Sequence, residues 1–166
     1  EVTVFQMDAR QISFESEFDV IGAFDMLEHI HADELVLSEM FRAVKPGGGI
    51  LLTVPQHPFL WSYYDDVSCH KRRYNRLELI RKIEQAGFEV VWTTSLVSLL
   101  LPLLLFSRLR QREPTGDYDV MAEFKLSPFV NILLEKVLDV ERMLIKQGCS
   151  FPIGGSRLVA ARKNQG

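Results

Sequence analysis

The sequence predicts an α/β protein with a mostly parallel sheet flanked by helices, and three observations carry that prediction. Apolar runs of strand length recur at residues 18–24, 50–54 and 88–93. Segments with apolar residues at three- and four-residue steps lie between them, which is the helical period. Strand, helix and strand alternate in that order, so βαβ units with right-handed crossovers are expected.

The chain has 166 residues, 47% of them hydrophobic and 25% charged, enough for one domain with a real core. A formal net charge of −3 offers no basic face, so nucleic acid is not expected as a partner. Cys69 and Cys149 are far apart and lack Cys-x-x-Cys spacing, so neither a disulfide framework nor a zinc knuckle is indicated. A reducing, cytoplasmic setting is the simplest expectation. The first eight residues lack a basic region followed by an apolar one, so no signal peptide is read.

Taken in order, residues 2–6 alternate and are β-branched enough for a strand. Residues 18–24 are nearly continuously apolar, as in a strand buried on both faces of a parallel sheet. A helix opens near Ala32 and Asp33, carries Leu37, Met40, Phe41 and Val44 inward, and stops at Lys45-Pro46-Gly47-Gly48-Gly49. The strand at 50–54 ends at Pro55-Gln56-His57-Pro58. Residues 59–74 then lose all periodicity while aromatic, acidic, His and Arg residues concentrate, the composition of a functional loop. Asn75 and Glu78 form a capping box that opens a helix with Leu77, Ile80 and Ile83 inward and Gly87 at its end.

The stretch 96–106 is the oiliest of the chain, with Arg108, Arg110 and Arg112 directly behind it. Pro102 interrupts it, so a lid or interfacial helix fits better than a spanning one. An interfacial helix would bring a peripheral membrane contact; a lid helix would not. Two further readings stay open for it: a helix pair covering the sheet, or a site for an apolar acceptor. After a polar break at 115–118, a second helix at 129–145 aligns Ile132, Leu133, Val137, Val140 and Leu144, and a last strand runs from 156 to 161. The expected division is 1–95 for the sheet and loop, 96–150 for a helical insertion and 151–166 for the last strand and tail, within one domain.

Site candidates collect where strands end, because ligands of open α/β sheets bind beyond the carboxyl ends of strands. Asp25, Glu28 and His29 crowd such a point. His57, Trp61, His70, Arg72, Arg73 and Tyr74 populate the aromatic loop; an imidazole such as His70 serves as a general base near neutral pH, and an Arg holds an anion through paired donors. The competing reading is a loop stapled by its own aromatics.

Asp8-Ala9, Phe18-Asp19-Val20, Asp25-Met26-Leu27-Glu28-His29 and Phe41-Arg42-Ala43-Val44-Lys45-Pro46-Gly47-Gly48 occur in an order and spacing that resembles class I S-adenosylmethionine-dependent methyltransferases. That resemblance implies a Rossmann-like fold and S-adenosylmethionine as cofactor. It also implies roles at matching positions. Asp8 would accept from the adenine amine, Ala9 would offer its N–H to the ring, and Phe24 and Asp25 would border the methionine part. His70, with His29 beside it, would be catalytic, and His57, Trp61, Arg72, Arg73 and Tyr74 would meet the acceptor, a small molecule, a sugar or a lipid-linked compound. Asp25, Glu28 and His29 resemble a metal-holding pattern of some quinone-pathway O-methyltransferases, against the alternative that Glu28 and His29 only satisfy their neighbours.

The family's glycine-rich loop and its acidic ribose ligand are absent from the 166 residues, since the glycines at 47–49 follow a helix instead of opening one. The expectation is a chain missing the first strands of the fold. The strand at 18–24 would then present an unpaired edge, a surface for pairing two copies. A non-catalytic binding module using the leucine-rich insertion is the alternative function.

Overall fold

The computed structural model describes residues 2–110 and 127–165. The chain forms a four-stranded sheet in the order β1-β2-β4-β3, where β1 is Phe18–Phe24, β2 is Val44–Pro55, β3 is Glu89–Leu96 and β4 is Ser156–Arg162. β1 pairs parallel with β2, whereas β4 runs antiparallel to both β2 and β3. Three strands therefore point one way and the last is slotted in reversed between two of them. Helix α1, Asp33–Ala43, links β1 to β2, and α3, Arg76–Gln85, leads into β3.

The core is one cluster. Val36, Leu37 and Met40 of α1 meet Ile50, Leu52 and Val54 of β2, Leu79 and Ile83 of α3 and Val159 of β4. Burial of these side chains supplies most of the drive to fold, at about 1.5–3 kcal/mol for each large one. A polar tie adds orientation: buried Asp33 accepts from Lys82 Nζ at 2.7 and 2.9 Å, from the Tyr74 hydroxyl at 2.7 Å and from Arg72 at 3.1 Å. It clamps α1 to α3 and to the loop before it.

Several expectations need correction. Residues 2–6 form no strand; Val2 and Val4 are exposed, and without a neighbouring strand their backbone has nothing to pair with among the described residues. β1 is buried at Ala23 but exposed at Val20, Gly22 and Phe24, which share one face, so this edge strand is covered on one face rather than on both. The glycines after Lys45 belong to β2, not to a turn ahead of it. The ladder jumps from Phe18↔Val44 to Val20↔Gly49, so the intervening residues bulge, with Gly47 at φ +82. A Cβ on Gly49 would stand 2.5 Å from the Ala161 carbonyl oxygen, so only glycine lets β4 come this close.

Asn75 does cap α3, its side chain accepting from the Glu78 N–H at 2.9 Å, but the inward phase is Leu79 and Ile83 while Leu77 is 79% exposed. The loop at 59–74 holds structure of its own, a 3-10 turn at Pro58–Leu60 and helix α2 at Tyr63–Val67. Helix α4, Leu101–Arg110, and helix α5, Pro128–Lys146, lie between β3 and β4. α5 does not cover the sheet as a core helix, since Ile132, Leu133 and Val140 are exposed and its one buried residue, Glu141, accepts from the Leu99 N–H. Among the described residues no helix is long and apolar enough to cross a membrane. The polar break at 115–118, Arg112 and the Arg110 side chain lie outside what the structure describes.

Candidate active site

At the carboxyl ends of β1 and β2, and beside the start of β4, lies a cleft of about 450 Å³ lined by Asp25, Glu28, His29, Pro55, Tyr64, Ser68, His70, Arg73, Gly155 and Ser156. Chain direction explains it: β4 is reversed, so its first residue meets the last residues of its neighbours. Asp25 ends β1 with φ +47, a left-handed conformation that Asp tolerates better than most residues. The turn is fixed by its N–H donating to the Thr53 carbonyl at 3.0 Å, and by the Thr53 hydroxyl approaching Asp25 Oδ1 at 3.3 Å.

A single helical turn, Leu27–His29, follows and sets Glu28 inward and His29 toward the cleft. Glu28 is 0% exposed, and neither carboxylate oxygen has a hydrogen-bond partner among the described residues. Burial pushes its carboxyl up to about 7, and the negative charge of Asp25 adds to the rise. The Lys71 N–H donates to the Glu28 carbonyl at 2.7 Å, which brings the aromatic loop across the same turn.

His70 is held by Asp65. The Nδ1 atom lies 2.8 Å from Asp65 Oδ1, so in the neutral ring Nδ1 carries the proton and Nε2 keeps its lone pair. Asp65 Oδ1 also accepts from Arg73 Nε at 2.8 Å, while Oδ2 accepts from the Ser62 N–H at 2.8 Å and the Ser62 hydroxyl at 3.0 Å. Burial alone would raise the Asp65 carboxyl, but the hydrogen bonds from Arg73 and His70 outweigh it and hold the group below the usual carboxylate range. It stays anionic. The His29 and His70 rings meet edge to face with centroids 4.8 Å apart.

The structure thus brings Asp25, His29, His70 and Arg73 together and sets other sequence candidates apart. Arg72 is engaged by Asp33 and by the His31 carbonyl, and Tyr74 is fully buried with its hydroxyl on Asp33. His57 sits at φ +62 and stacks on Phe59; burial lowers its imidazole, with the charges of Arg157 and Arg73 adding to the effect. Trp61 donates to Asp66 at 3.1 Å. Asp8 is exposed and accepts three side-chain contacts and one N–H from Arg10, which hold its carboxyl down at about 2. Ala9 is half-buried beside it, and Phe24 is exposed on the β1 edge. The sequence reading gives Asp65 no role of its own, although Ser62-x-x-Asp65 is a capping-box pattern that marks this carboxylate as built into the local fold.

A family model described as a methyltransferase domain matches residues 2–93, more than half of the chain. The chain belongs to this methyltransferase family. It is 34% identical over 79 residues to a protein of Mycolicibacterium smegmatis described as a probable S-adenosylmethionine-dependent methyltransferase, an alignment covering 46% of the chain and 30% of that relative. Among solved structures, the phosphoethanolamine N-methyltransferase 2 of Haemonchus contortus, in complex with S-adenosyl-L-methionine, superposes with a TM-score of 0.55 at 21% identity, over 95% of the chain and 36% of that protein. The [4+2]-cyclase SpnF gives a TM-score of 0.55 at 20% identity, over 96% of the chain and 55% of that protein. The chain therefore spans about a third to a half of the length of these proteins. The Rossmann-like methyltransferase architecture is shared by a cyclase too, so chemistry has to be argued from the cleft.

Proposed function

We propose that the cleft is the acceptor side of an S-adenosylmethionine-dependent methyl transfer to a hydroxyl of a small-molecule, sugar or lipid-linked acceptor. The observation that carries this reading is the anchored His70, whose Nε2 lone pair opens on a cleft at the carboxyl ends of two parallel strands. The residues near the cofactor's expected place suit it. Asp8 stays anionic, although Arg10 engages both of its oxygens and would have to share one with an adenine amine, and no described partner takes the Ala9 N–H. Phe24 and Asp25 stand at the end of β1, where the methionine part would lie. When bound, S-adenosylmethionine supplies an electrophilic methyl group on a sulfonium sulfur.

The chain's own part is alignment and proton removal. His70 Nε2 takes the acceptor's proton as its oxygen gains the new bond, and Asp65, already paired through Nδ1, stabilises the resulting imidazolium. Arg73 is spent on Asp65 and on the Gln56 carbonyl, so its role is to hold that carboxylate in place rather than to hold the acceptor. A smaller hollow of about 180 Å³ shares Tyr64, Arg73, Gly155 and Ser156 with the cleft and continues along Leu60, Val97 and Leu104. Exposed Leu103 and Phe106 lie on the same helix as Leu104, which favours an apolar or lipid-linked acceptor within the proposed classes.

Replacing His70 by Ala should lower kcat by about 10²–10⁴-fold, the usual contribution of a positioned acid or base, and leave S-adenosylhomocysteine affinity unchanged. Loss of affinity with kcat retained would move His70 from catalysis to binding. Calorimetric titration of S-adenosylhomocysteine into the chain, and into a form extended upstream, tests the cofactor. Silence from both would favour the non-catalytic module.

A further inference from the structure

We propose that Glu28, His29 and His70 together bind one divalent transition-metal ion in the cleft. Glu28 Oε1 lies 3.9 Å from His29 Nε2 and 4.0 Å from His70 Nε2, and one donor atom from each of the three residues falls within 4.8 Å of the others. These gaps are too long for hydrogen bonds. They are wider than the roughly 3.4 Å between neighbouring ligands on a tetrahedral ion with bonds of about 2.1 Å, so loading draws the side chains in by about half an ångström each.

The buried carboxylate is what points to a cation. A fully buried carboxylate with neither oxygen satisfied is costly, and the polar partners nearby are committed elsewhere: Arg73 to Asp65, the Thr53 hydroxyl to Asp25. Asp25 sits on the same cleft wall, so two carboxylates converge there. An ion between Glu28 and the two imidazoles would give Glu28 its missing partner and offset both charges.

The imidazoles are set for such a task. Asp65 holds His70 by Nδ1 and leaves Nε2 facing Glu28, the carboxylate–histidine arrangement that orients metal ligands. Asp65 is itself pinned by Ser62 and Arg73, and the Lys71 N–H fastens the loop to the Glu28 carbonyl. Two nitrogens and one carboxylate oxygen suit Zn²⁺, Co²⁺ or Fe²⁺ better than Mg²⁺ or Ca²⁺, which take oxygen shells. Three protein ligands leave a further position open to the cleft, as in a catalytic site. The ligand set differs from that read off the sequence: His70 replaces Asp25, whose Oδ1 is occupied by the Thr53 hydroxyl.

This inference rests on the cleft being the acceptor site and changes one role within it. In the loaded form His70 Nε2 would be a ligand rather than a base; the ion would make a bound acceptor hydroxyl more acidic, and its proton would leave to solvent through the open cleft.

The test is titration of the chelator-stripped chain with Co²⁺, followed by visible absorption and calorimetry, and then with Zn²⁺ in competition. One equivalent should bind with an absorption band of nitrogen–oxygen ligation. Glu28→Gln and His29→Ala should each weaken binding at least tenfold, whereas His31→Ala, an exposed histidine outside the cluster, should leave it unchanged. His29 is partly exposed and its loss disturbs the core least, so that variant stays informative if Glu28→Gln fails to fold. Absence of stoichiometric binding, or binding indifferent to His29→Ala, overturns the proposal. S-adenosylhomocysteine titrated into the same stripped chain reads the methyltransferase assignment separately, so either can fail alone.

Discussion

Asp33→Asn tests whether the buried ion cluster fastens α1 to α3. Asp33 is 2% exposed and receives Lys82, Tyr74 and Arg72 at 2.7–3.1 Å. Removing one member of a buried pair costs about 3–5 kcal/mol because the other charge is stranded. Here Lys82 keeps Glu34 at 3.6 Å and Glu78 at 3.9 Å, and the amide still offers an acceptor oxygen. About 2–4 kcal/mol is therefore the expected loss. For a chain of this length it corresponds to a Tm lower by roughly 4–16 °C. The sign with pH follows from the direction of the shift. Burial alone would raise the Asp33 carboxyl, but Lys82 and Tyr74 outweigh it, so its folded pKa lies below the unfolded value. Its contribution is present above the unfolded pKa, about 3.9, and is lost as pH falls through the folded one. Thermal melts followed by circular dichroism should show the full gap between parent and variant at pH 7, narrowing below about pH 4. A gap that keeps its size down to pH 3, or no gap at pH 7, would refute the reasoning.

Two neighbouring leucines of α3 give a contrast within one helix. Leu79→Ala, at 1% exposure, should cost about 2–5 kcal/mol. Leu77→Ala, at 79% exposure, should stay within about 0.5 kcal/mol in chemical denaturation, and equal losses would contradict the packing described. The open side of β1 supplies the other test. Val20→Lys places a charge on an exposed edge residue and should shift the chain toward a monodisperse monomer in light scattering, if copies pair there. An unchanged size distribution would remove that edge as a pairing surface.

The sequence made β1, α1 and β3 legible because apolar runs of strand length and the helical period survive without knowledge of neighbours. What it could not supply was context. Residues 2–6 have strand composition, yet a strand exists only against a partner, and none of the described strands lies beside them. Lys45-Pro46-Gly47-Gly48-Gly49 spells a stop by composition, while in the fold its glycines let β2 bulge past β1 and run close under β4. Asn75 was readable as a cap, but the cap fixes where a helix begins, not which of Leu77 and Leu79 faces the core. Arg72 and Tyr74 share the composition of a ligand-binding loop with Arg73 and His70. Only the path of the chain turns the first pair onto Asp33 and the second toward the cleft.

Asp65 shows why the site and the local fold are hard to separate in this chain. One of its oxygens closes the start of α2 on Ser62, and the other takes both His70 and Arg73. The same carboxylate that lets a five-residue helix form in an aromatic loop therefore fixes the tautomer of the imidazole that faces the cleft. An isolated helix of that length has no stability of its own, so the loop is ordered by the polar contacts that also define the chemistry. Substitutions at Asp65 would mix folding with function, whereas substitutions at His70 or His29 act on the cleft from its open side. This is why the decisive experiments fall on the two histidines.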